Sequence, residues 1–300
     1  MNDRIAELKK IKKAVILAHT YQPGEVQELA DYVGDSYGLS VEASRAEADI
    51  LIFCGVRFMA ETAHILNPGR KVILPAPSAG CPMADMIDTK GLREMKAANP
   101  DKLVMCYVNS TAEIKALSDV CCTSSNAVRI ASKLPKDKGI IFVPDRHLGT
   151  FIQEQTKREM IFWDGFCPIH AQIEPAMINE ARKAHPNAVV LIHPEAPRES
   201  RILCDHALST GGMCDFVAES KNSEFVIATE LGMIHTLQKA NPDKKFYPLS
   251  SKLLCPDMKA ITPKLILDVL EGKAGEEVTM SEDVRLKARV SLDRMMELSL

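Results

Sequence analysis

The chain has 300 residues, of which 46% are hydrophobic, and its formal net charge at pH 7 is −3. A chain of this length can bury more than one core, while its charge offers no basic surface, so no nucleic-acid partner is expected. No apolar run approaches the roughly 20 residues of a membrane span, and Met1–Lys13 resembles a surface helix rather than a signal peptide. Nine cysteines without a secretory signal indicate a cytoplasmic protein whose thiols are reduced or bind a metal. Because no membrane span is predicted, no membrane partner is expected.

Predicted strands alternate with helices along the whole chain. The strands are short, and their apolar residues are continuous, which is typical of parallel strands covered by helices on both faces. In chain order the strands are predicted at Ala14–Ala18, Tyr32-Val33, Asp49–Cys54, Lys71–Leu74, Leu103–Val108, Asp119–Cys122, Gly139–Val143, Glu159–Trp163, Ala188–Ile192, Ala207–Ser209, Glu224–Thr229 and Phe246–Leu249. Helices are predicted from Thr123-Ser124 to Leu134, near Leu148–Gln155, and from the N-cap Ser281 to Leu300. This order of elements predicts an α/β fold.

Several features recur along the chain at nearly equal intervals. Cys167-Pro168 follows Cys81-Pro82 by 86 residues, and Cys255-Pro256 follows after a further 88. Other positions repeat with spacings of 88 and then 86 residues: Asp31, Asp119 and Asp205; Ser36, Ser124 and Thr210; and His19, Tyr107 and His193. The shared period is longer than the unit of a solenoid. We therefore interpret the chain as three duplicated domains.

The repeat sets the predicted domain borders. The first α/β repeat covers residues 1–82, the second 83–168 and the third 169–256, and residues 257–300 form a C-terminal helical extension. The last helix, 281–300, is expected to join the first repeat. The predicted fold class is α/β, with three pseudo-symmetric α/β/α domains whose short parallel sheets surround a central active site.

Polar residues at equivalent points of the repeats indicate a binding site. In open parallel sheets, ligands bind beyond the carboxyl ends of the strands. The residues predicted at these ends are His19, Tyr21, Tyr107, Asn109, His193 and Glu195. Ser36, Ser124 and Thr210 are predicted where a strand turns into a helix, and hydroxyl and N–H groups at such a point bind anions. Three such points favour a ligand with two or three acidic groups.

The Cys-Pro pairs would supply one thiolate from each repeat. A structural Zn²⁺ site or an electron-carrying [4Fe–4S] cluster normally has four protein ligands. A cluster held by Cys81, Cys167 and Cys255 would leave one iron free to act as a Lewis acid on a substrate. No CxxC occurs in the chain, so this prediction depends on the repeat. The other cysteines are predicted to be buried apolar residues: Cys54, Cys106, Cys121, Cys122, Cys204 and Cys214.

Two further groups are predicted to have other roles. Asp31, Asp119 and Asp205 fit turn or capping positions beside strands better than catalytic ones. His170, three residues after Cys167, is left open between a structural role and the orientation of a cluster or a phosphate.

Longer motifs, taken in order, resemble the quinolinate synthase family. They are His19-Thr-Tyr21-Gln, Gly34-Asp35-Ser36, Gly55-Val-Arg-Phe-Met-Ala-Glu61, Cys81-Pro-Met-Ala84, Tyr107-Val-Asn109-Ser-Thr, Thr123-Ser124-Ser-Asn-Ala-Val128, Pro144-Asp145, Gly165-Phe-Cys167-Pro-Ile-His170, His193-Pro-Glu195, Ser209-Thr210-Gly-Gly-Met213, Ala228-Thr-Glu-Leu-Gly-Met-Ile-His235 and Cys255-Pro-Asp-Met-Lys259. The resemblance covers nearly the whole chain. It departs at Thr20, where the family usually has Asn, and at Ala196, where Cys often follows His-Pro-Glu.

The resemblance implies a transferase that condenses iminosuccinate with dihydroxyacetone phosphate to quinolinate, a precursor of NAD, with loss of phosphate and water. It implies a [4Fe–4S] cluster on Cys81, Cys167 and Cys255. The substrate-binding set that it implies is His19, Ser36, Tyr107, Asn109, Ser124, His193, Glu195 and Thr210. It also implies a functional link to an aspartate oxidase or an aspartate dehydrogenase, which would supply iminosuccinate.

The implied chemistry assigns hypothetical roles to the catalytic set. Glu195 is the first choice for the general base, and Tyr21 and Tyr107 could donate or pass protons. His193, like His19, can donate to a carboxylate or a phosphate.

Three other classes share part of the pattern. A diphthamide-type radical enzyme and the hydroxymethylbutenyl-diphosphate reductase also bring cysteines from three similar domains to one cluster. Neither matches the His-x-Tyr, Tyr-Val-Asn and His-Pro-Glu motifs in this order. A non-enzymatic iron–sulfur sensor is the third alternative, and it would need a basic or partner-binding surface that the charge balance does not reveal.

Overall fold

The computed structural model describes residues Met1–Leu300, and its elements lie close to the predicted ones. In chain order they are α1 (Asn2–Lys12), β1 (Ala14–His19), α2 (Gly24–Gln27), β2 (Tyr32–Gly34), α3 (Ser36–Arg45), β3 (Ile50–Cys54), α4 (Arg57–Leu66), β4 (Lys71–Leu74), α5 (Pro82–Asp85), α6 (Thr89–Ala98), β5 (Leu103–Tyr107), α7 (Ala112–Ala116), β6 (Val120–Cys122), α8 (Ala127–Lys133), β7 (Ile140–Val143), α9 (Arg146–Thr156), β8 (Met160–Phe162), α10 (Pro175–Ala184), β9 (Val189–Ile192), α11 (Arg198–Arg201), β10 (His206–Ala207), α12 (Thr210–Glu219), β11 (Glu224–Ala228), α13 (Met233–Ala240), β12 (Lys245–Pro248), α14 (Pro263–Leu270), β13 (Glu276–Glu277) and α15 (Glu282–Ser299). A short 3₁₀ helix, Asp257–Lys259, precedes α14. None of the helices combines the length and the apolar character that a membrane crossing requires.

In each of the three sheets, four parallel strands share one order. In the first sheet, β1 pairs with β2 and β3, and β3 pairs with β4. The second sheet repeats this with β5, β6, β7 and β8, and the third with β9, β10, β11 and β12. The order within each repeat is second, first, third and fourth strand. This topology confirms the predicted α/β class with three similar parallel sheets.

Aspartates in the three repeats brace the first strand of each sheet in the same way. Each carboxylate accepts a hydrogen bond from the backbone N–H of a strand residue that lies 15 positions earlier. The pairs are Ile16 N to Asp31 Oδ2 (2.8 Å), Val104 N to Asp119 Oδ2 (2.7 Å) and Val190 N to Asp205 Oδ2 (2.7 Å). The aspartates therefore fix the start of the second strand of each sheet, which confirms their predicted structural role.

The third sheet shows why continuous apolar strands predict this fold. Val190 of β9 and Val226 of β11 are fully buried, and Ile178 of α10 packs in the same core. Burying an aliphatic side chain of this size contributes about 1.5–3 kcal/mol. A strand that is covered on both faces can therefore be apolar at consecutive positions.

One strand of the structure, β13, is not predicted from the sequence. β13 has only two residues, both glutamate, and pairs antiparallel with β4. Arg57 of α4 holds the Glu276 carboxylate with two hydrogen bonds of 3.0 Å. A strand held by ionic contacts at a sheet edge carries no apolar signal, so periodicity cannot predict it.

One predicted helix begins later than its sequence suggests. The helix predicted from Thr123-Ser124 starts only at Ala127. The Asn126 Oδ1 atom accepts a hydrogen bond from the Thr123 backbone N–H at 2.7 Å, and this contact closes a turn in place of the first helical residues. The predicted N-cap of the last helix is confirmed, because Ser281 Oγ accepts from Val284 N at 3.3 Å.

The chain divides into two compact units. One contains Met1–Cys81 with Cys255–Leu286, and the other contains Pro82–Leu254 with Lys287–Leu300. Most of α15 thus lies with the second repeat, whereas the sequence predicts that it joins the first. Two hydrogen bonds explain this: Ser291 Oγ donates to the Lys115 carbonyl (2.9 Å), and Asn126 Nδ2 donates to Ser299 Oγ (2.9 Å).

Candidate active site

One predicted binding residue of each repeat lies where the first strand of its sheet ends. β1 ends at His19, β5 ends at Tyr107, and β9 ends directly before His193. All three side chains are buried. Parallel sheets bind ligands at this edge. The structure places His19, Tyr107 and His193 at the strand ends where the sequence predicts them.

His19 and His193 are held in the same tautomer by equivalent contacts. The backbone N–H of Tyr21 donates to His19 Nδ1 at 3.1 Å, and the backbone N–H of Glu195 donates to His193 Nδ1 at 3.3 Å. An Nδ1 that accepts leaves the ring proton of a neutral imidazole on Nε2. Each ring therefore carries one N–H donor on the side away from its own turn.

Glu195 lies at the centre of a buried hydrogen-bond network in the second unit. Tyr107 donates its hydroxyl to Glu195 Oε1 at 2.6 Å, and His170 Nδ1 lies 2.6 Å from Glu195 Oε2. On the other side of the His170 ring, Nε2 lies 2.8 Å from the Thr229 hydroxyl. The His170 ring also stacks on His193, with 4.6 Å between ring centroids. Four of these side chains come from the predicted third repeat and Tyr107 from the second.

The surroundings of Glu195 favour its ionised form. Burial acts to raise the pKa of this carboxyl, but the charges of His193 and His170 and the hydrogen bonds from His170 and Tyr107 outweigh it, so the pKa is lowered. Burial lowers the pKa of His193 to about 3, which agrees with its acceptor Nδ1 and makes His193 neutral near pH 7. The charge of His193 therefore acts on Glu195 only at acid pH, and near pH 7 the hydrogen bonds from His170 and Tyr107 keep Glu195 a carboxylate.

Two buried polar atoms at strand ends of the second sheet have no protein partner. They are Asn109 Oδ1 and Thr123 Oγ1, which follow β5 and β6. Buried polar atoms are almost always hydrogen-bonded in native proteins. These two atoms therefore indicate a place for a polar ligand at the carboxyl ends of neighbouring strands.

The three hydroxyl residues of the predicted anion sites do not occupy equivalent positions. Ser36 and Thr210 are the first residues of α3 and α12, each directly after an N-cap side chain, Asp35 or Ser209. Ser124 instead lies in the turn before α8. A helix N-terminus can assist anion binding at the first two positions, whereas Ser124 can offer only its hydroxyl and the N–H groups of the turn.

The Cys-Pro cysteines differ from most of the other thiols in exposure. Cys81, Cys167 and Cys255 are partly exposed, whereas Cys54, Cys106, Cys121 and Cys122 are buried, as predicted. Cys204 and Cys214 are only partly buried, which differs from the prediction. Burial nevertheless raises the pKa of Cys204 to about 12, so this thiol stays protonated.

The loops that carry these cysteines are each fixed by an aspartate. In the first unit, Gly80 N donates to Asp257 Oδ1 at 3.0 Å, which ties the loop of Cys81 to the loop of Cys255. In the second unit, Cys167 N donates to Asp145 Oδ2 at 3.2 Å. Two of the three predicted cluster ligands therefore lie on loops that contact each other directly.

Cys167 also lies beside the Glu195 network. Its sulfur, a ring nitrogen of His170 and a carboxylate oxygen of Glu195 all lie within 4.8 Å of one another. Sulfur, nitrogen and oxygen donors at this separation can bind a transition metal. The structure thus places one predicted metal ligand next to the predicted general base.

A single family model covers nearly the whole chain. The model described as quinolinate synthetase A protein matches residues 3–297. This chain belongs to the quinolinate synthetase A family.

Relatives of similar length agree with this assignment. A quinolinate synthase from Dehalococcoides mccartyi strain CBDB1 is 48% identical over 297 residues, which are 99% of this chain and 97% of the relative. A quinolinate synthase from Alkaliphilus metalliredigens is 48% identical over 299 residues, with 99% and 98% of the two chains covered. One from Pelobacter propionicus is 47% identical over 297 residues, with 99% and 97% covered.

In this member of the quinolinate synthetase A family, three residues near Glu195 are missing from the site that the sequence predicts. His170 contacts Glu195 directly, Thr229 contacts His170, and the Asp145 carboxyl caps α9 and accepts from Cys167. Burial and the charge of Glu195 raise the pKa of Asp145. The sequence signals were the Cys167-Pro-Ile-His170 motif and an aspartate directly before a helix. Neither signal indicates that these residues meet.

Proposed function

We propose that the protein is a quinolinate synthase that acts in NAD biosynthesis and condenses iminosuccinate with dihydroxyacetone phosphate, releasing phosphate and water. Iminosuccinate would come from an aspartate oxidase or an aspartate dehydrogenase. The observation that carries this proposal is the buried contact of Tyr107 with Glu195 at 2.6 Å, inside a chain that matches the family from residue 3 to residue 297. The contact joins two of the motifs by which the sequence resembles quinolinate synthases.

The donors at the strand ends suit a substrate with two carboxylates. His19 and His193 each present an Nε2–H group, as their Nδ1 atoms accept backbone hydrogen bonds. Charge-assisted hydrogen bonds to carboxylates are the strong ones. In this proposal the Asn109 amide and the hydroxyls of Ser36, Ser124 and Thr210 complete the substrate-binding set together with Tyr107 and Glu195.

Glu195 is proposed as the general base of the condensation. Its carboxylate is buried and ionised, and a base must hold a proton acceptor within hydrogen-bond reach of its substrate. Tyr107 already donates to Glu195 Oε1, so it can return a proton from the carboxyl to a leaving or enediol oxygen. Tyr21, whose ring contacts His19 at 4.6 Å between centroids, is proposed as a second proton donor, and His193 orients the substrate.

Cys81, Cys167 and Cys255 are proposed to hold a [4Fe–4S] cluster. The donor set fits, because all three are partly exposed, none forms a disulfide bond, and the loops of Cys81 and Cys255 are joined by the contact of Gly80 with Asp257. When bound through three thiolates, the cluster supplies a Lewis acid at its remaining iron. The protein's own part is to fix the three sulfurs and to place Glu195 close to Cys167.

The proposal is tested by product formation. The reconstituted protein is incubated anaerobically with dihydroxyacetone phosphate and iminosuccinate generated from aspartate by an aspartate oxidase, and quinolinate is measured by chromatography. We expect quinolinate only when both substrates are present. Protein with an intact cluster that forms no quinolinate would argue against the proposal, and cleavage of S-adenosylmethionine would favour the radical-enzyme class instead.

A further inference from the structure

A side chain clamps the turn after the first strand in every repeat. Each of these side chains donates to a backbone carbonyl five residues earlier. The contacts are Gln27 Nε2 to the Gln22 carbonyl (2.9 Å), Lys115 Nζ to the Ser110 carbonyl, and Arg201 Nε to the Ala196 carbonyl (3.0 Å). The donors are 88 and 86 residues apart in sequence, which is the spacing of His19, Tyr107 and His193.

The clamped carbonyl belongs to the residue that closes each turn. Gln22 N donates to the His19 carbonyl at 2.9 Å, Ser110 Oγ donates to the Tyr107 carbonyl at 2.9 Å, and Ala196 N donates to the His193 carbonyl at 3.0 Å. Each turn therefore starts at a proposed substrate-binding residue and ends at the clamp. Tyr21, Asn109 and Glu195 lie inside the turns, so their side chains depend on the same backbone.

The chemical types of the clamps show which property they share. Gln27 is neutral, Lys115 is an ammonium group, and Arg201 is a guanidinium group, and all three residues are buried, with exposures of 4%, 0% and 6%. A charge is thus not common to the three positions, whereas an N–H donor is. A buried carbonyl outside a helix or strand requires such a donor.

We propose that Gln27, Lys115 and Arg201 are positioning residues for the reaction, each holding one turn so that its polar side chains keep the geometry that binds substrate. This inference rests on the proposed function and adds residues that do not themselves touch substrate. A displacement of about 1 Å in a positioning group can cost about 10²-fold in rate. The clamps are expected to act at this level, through the turns and not through the overall stability.

Arg201 offers the sharpest test, because glutamine occupies the equivalent position in the first repeat. Arg Nε and Gln Nε2 are the same number of covalent bonds from Cα, so Arg201→Gln keeps a donor near the Ala196 carbonyl. Arg201→Met has a similar length and no donor. Both variants lose the ion pair of Arg201 with Glu154 (2.9 Å) and the contact with the Phe151 ring. Their difference therefore isolates the donation to the carbonyl.

The measurement is kcat and KM of the reconstituted holoenzyme, together with iron content and the thermal unfolding midpoint. We expect kcat/KM of Arg201→Met to be about tenfold or more below that of Arg201→Gln, at equal iron content. Arg182→Met is the control, because Arg182 also donates to a loop carbonyl, that of Leu203, which lies in the loop before β10 and outside the clamped turn. It should lower the unfolding midpoint and leave kcat/KM unchanged.

Equal kcat/KM values for the two Arg201 variants would overturn the proposal. An inactive wild type would instead refute the proposed function, so the two failures are distinguishable. If the Arg201 variants do not fold, Gln27→Met repeats the comparison against the wild type, whose Gln27 also donates to the Thr20 carbonyl at 2.9 Å. A folded Gln27→Met protein with wild-type kcat/KM would equally overturn the proposal.

Discussion

At the scale of single residues, Glu195 joins more of the candidate site than any other side chain. One oxygen accepts from Tyr107 and the other lies against His170, while its backbone N–H fixes the His193 ring. The same contacts keep its carboxyl ionised in a buried place. A base that is both desolvated and ionised is suited to accept a proton from a bound carbon acid.

Replacing Glu195 with glutamine should separate its proposed role as a general base from a purely structural role. Glu195→Gln keeps an oxygen that can accept from Tyr107, but it cannot take up a proton. We expect quinolinate formation to fall by about 10²-fold or more, with the cluster absorbance retained. Steady-state assays with Glu159→Gln as a surface control measure this. Full activity of Glu195→Gln would remove the carboxylate from the mechanism.

At the scale of elements, the repeated aspartate brace explains why one strand of each sheet can be very short. β10 has only two residues, yet Asp205 ties its start to β9 through Val190 N. Burial opposes ionisation of Asp205, but the hydrogen bonds from Val190 and Arg182 and the charges of Arg182 and His206 outweigh it and lower its pKa.

The brace predicts a pH-dependent contribution to stability. A carboxyl whose pKa is lower in the folded state stabilises the fold above its unfolded pKa of about 4, and this contribution is lost as the pH falls through the lower folded value. Asp205→Asn should lower the free energy of unfolding at pH 7 by about 1 kcal/mol, as the site is partly exposed. Urea unfolding at pH 7 and at acid pH should show the difference shrinking below about pH 4. A constant difference, or one equal to that of the exposed control Asp243→Asn, would contradict this account.

At the scale of the whole molecule, the internal period predicted more than local motifs did. It located the three sheets, the ends of their first strands and the braces, because duplicated backbone keeps residues of one type at equivalent points. The period did not predict the clamps, because Gln27, Lys115 and Arg201 share a hydrogen-bond geometry but are three different residue types.

Contacts between motifs that are distant in the chain could not be predicted from the sequence either. Tyr107 and Glu195 lie 88 residues apart, and only the packing of the second repeat on the third brings them together. His170 and Thr229 lie 59 residues apart within the third repeat, and the folding of that repeat brings them into contact. The position of α15 was ambiguous because its buried residues, such as Ala288 and Leu292, would suit any apolar core. Hydrogen bonds of two serines, Ser291 and Ser299, join α15 to the second repeat. A serine in a sequence does not indicate which element it will contact.

The iron content of cysteine variants after anaerobic reconstitution tests the central claim most directly. Removing one thiolate from a cluster that has only three should prevent its assembly. We therefore predict that Cys81→Ala, Cys167→Ala and Cys255→Ala each lose the bound iron and the brown colour, whereas Cys121→Ala keeps both. Wild-type iron content in any of the first three variants would contradict a cluster built from one cysteine of each repeat.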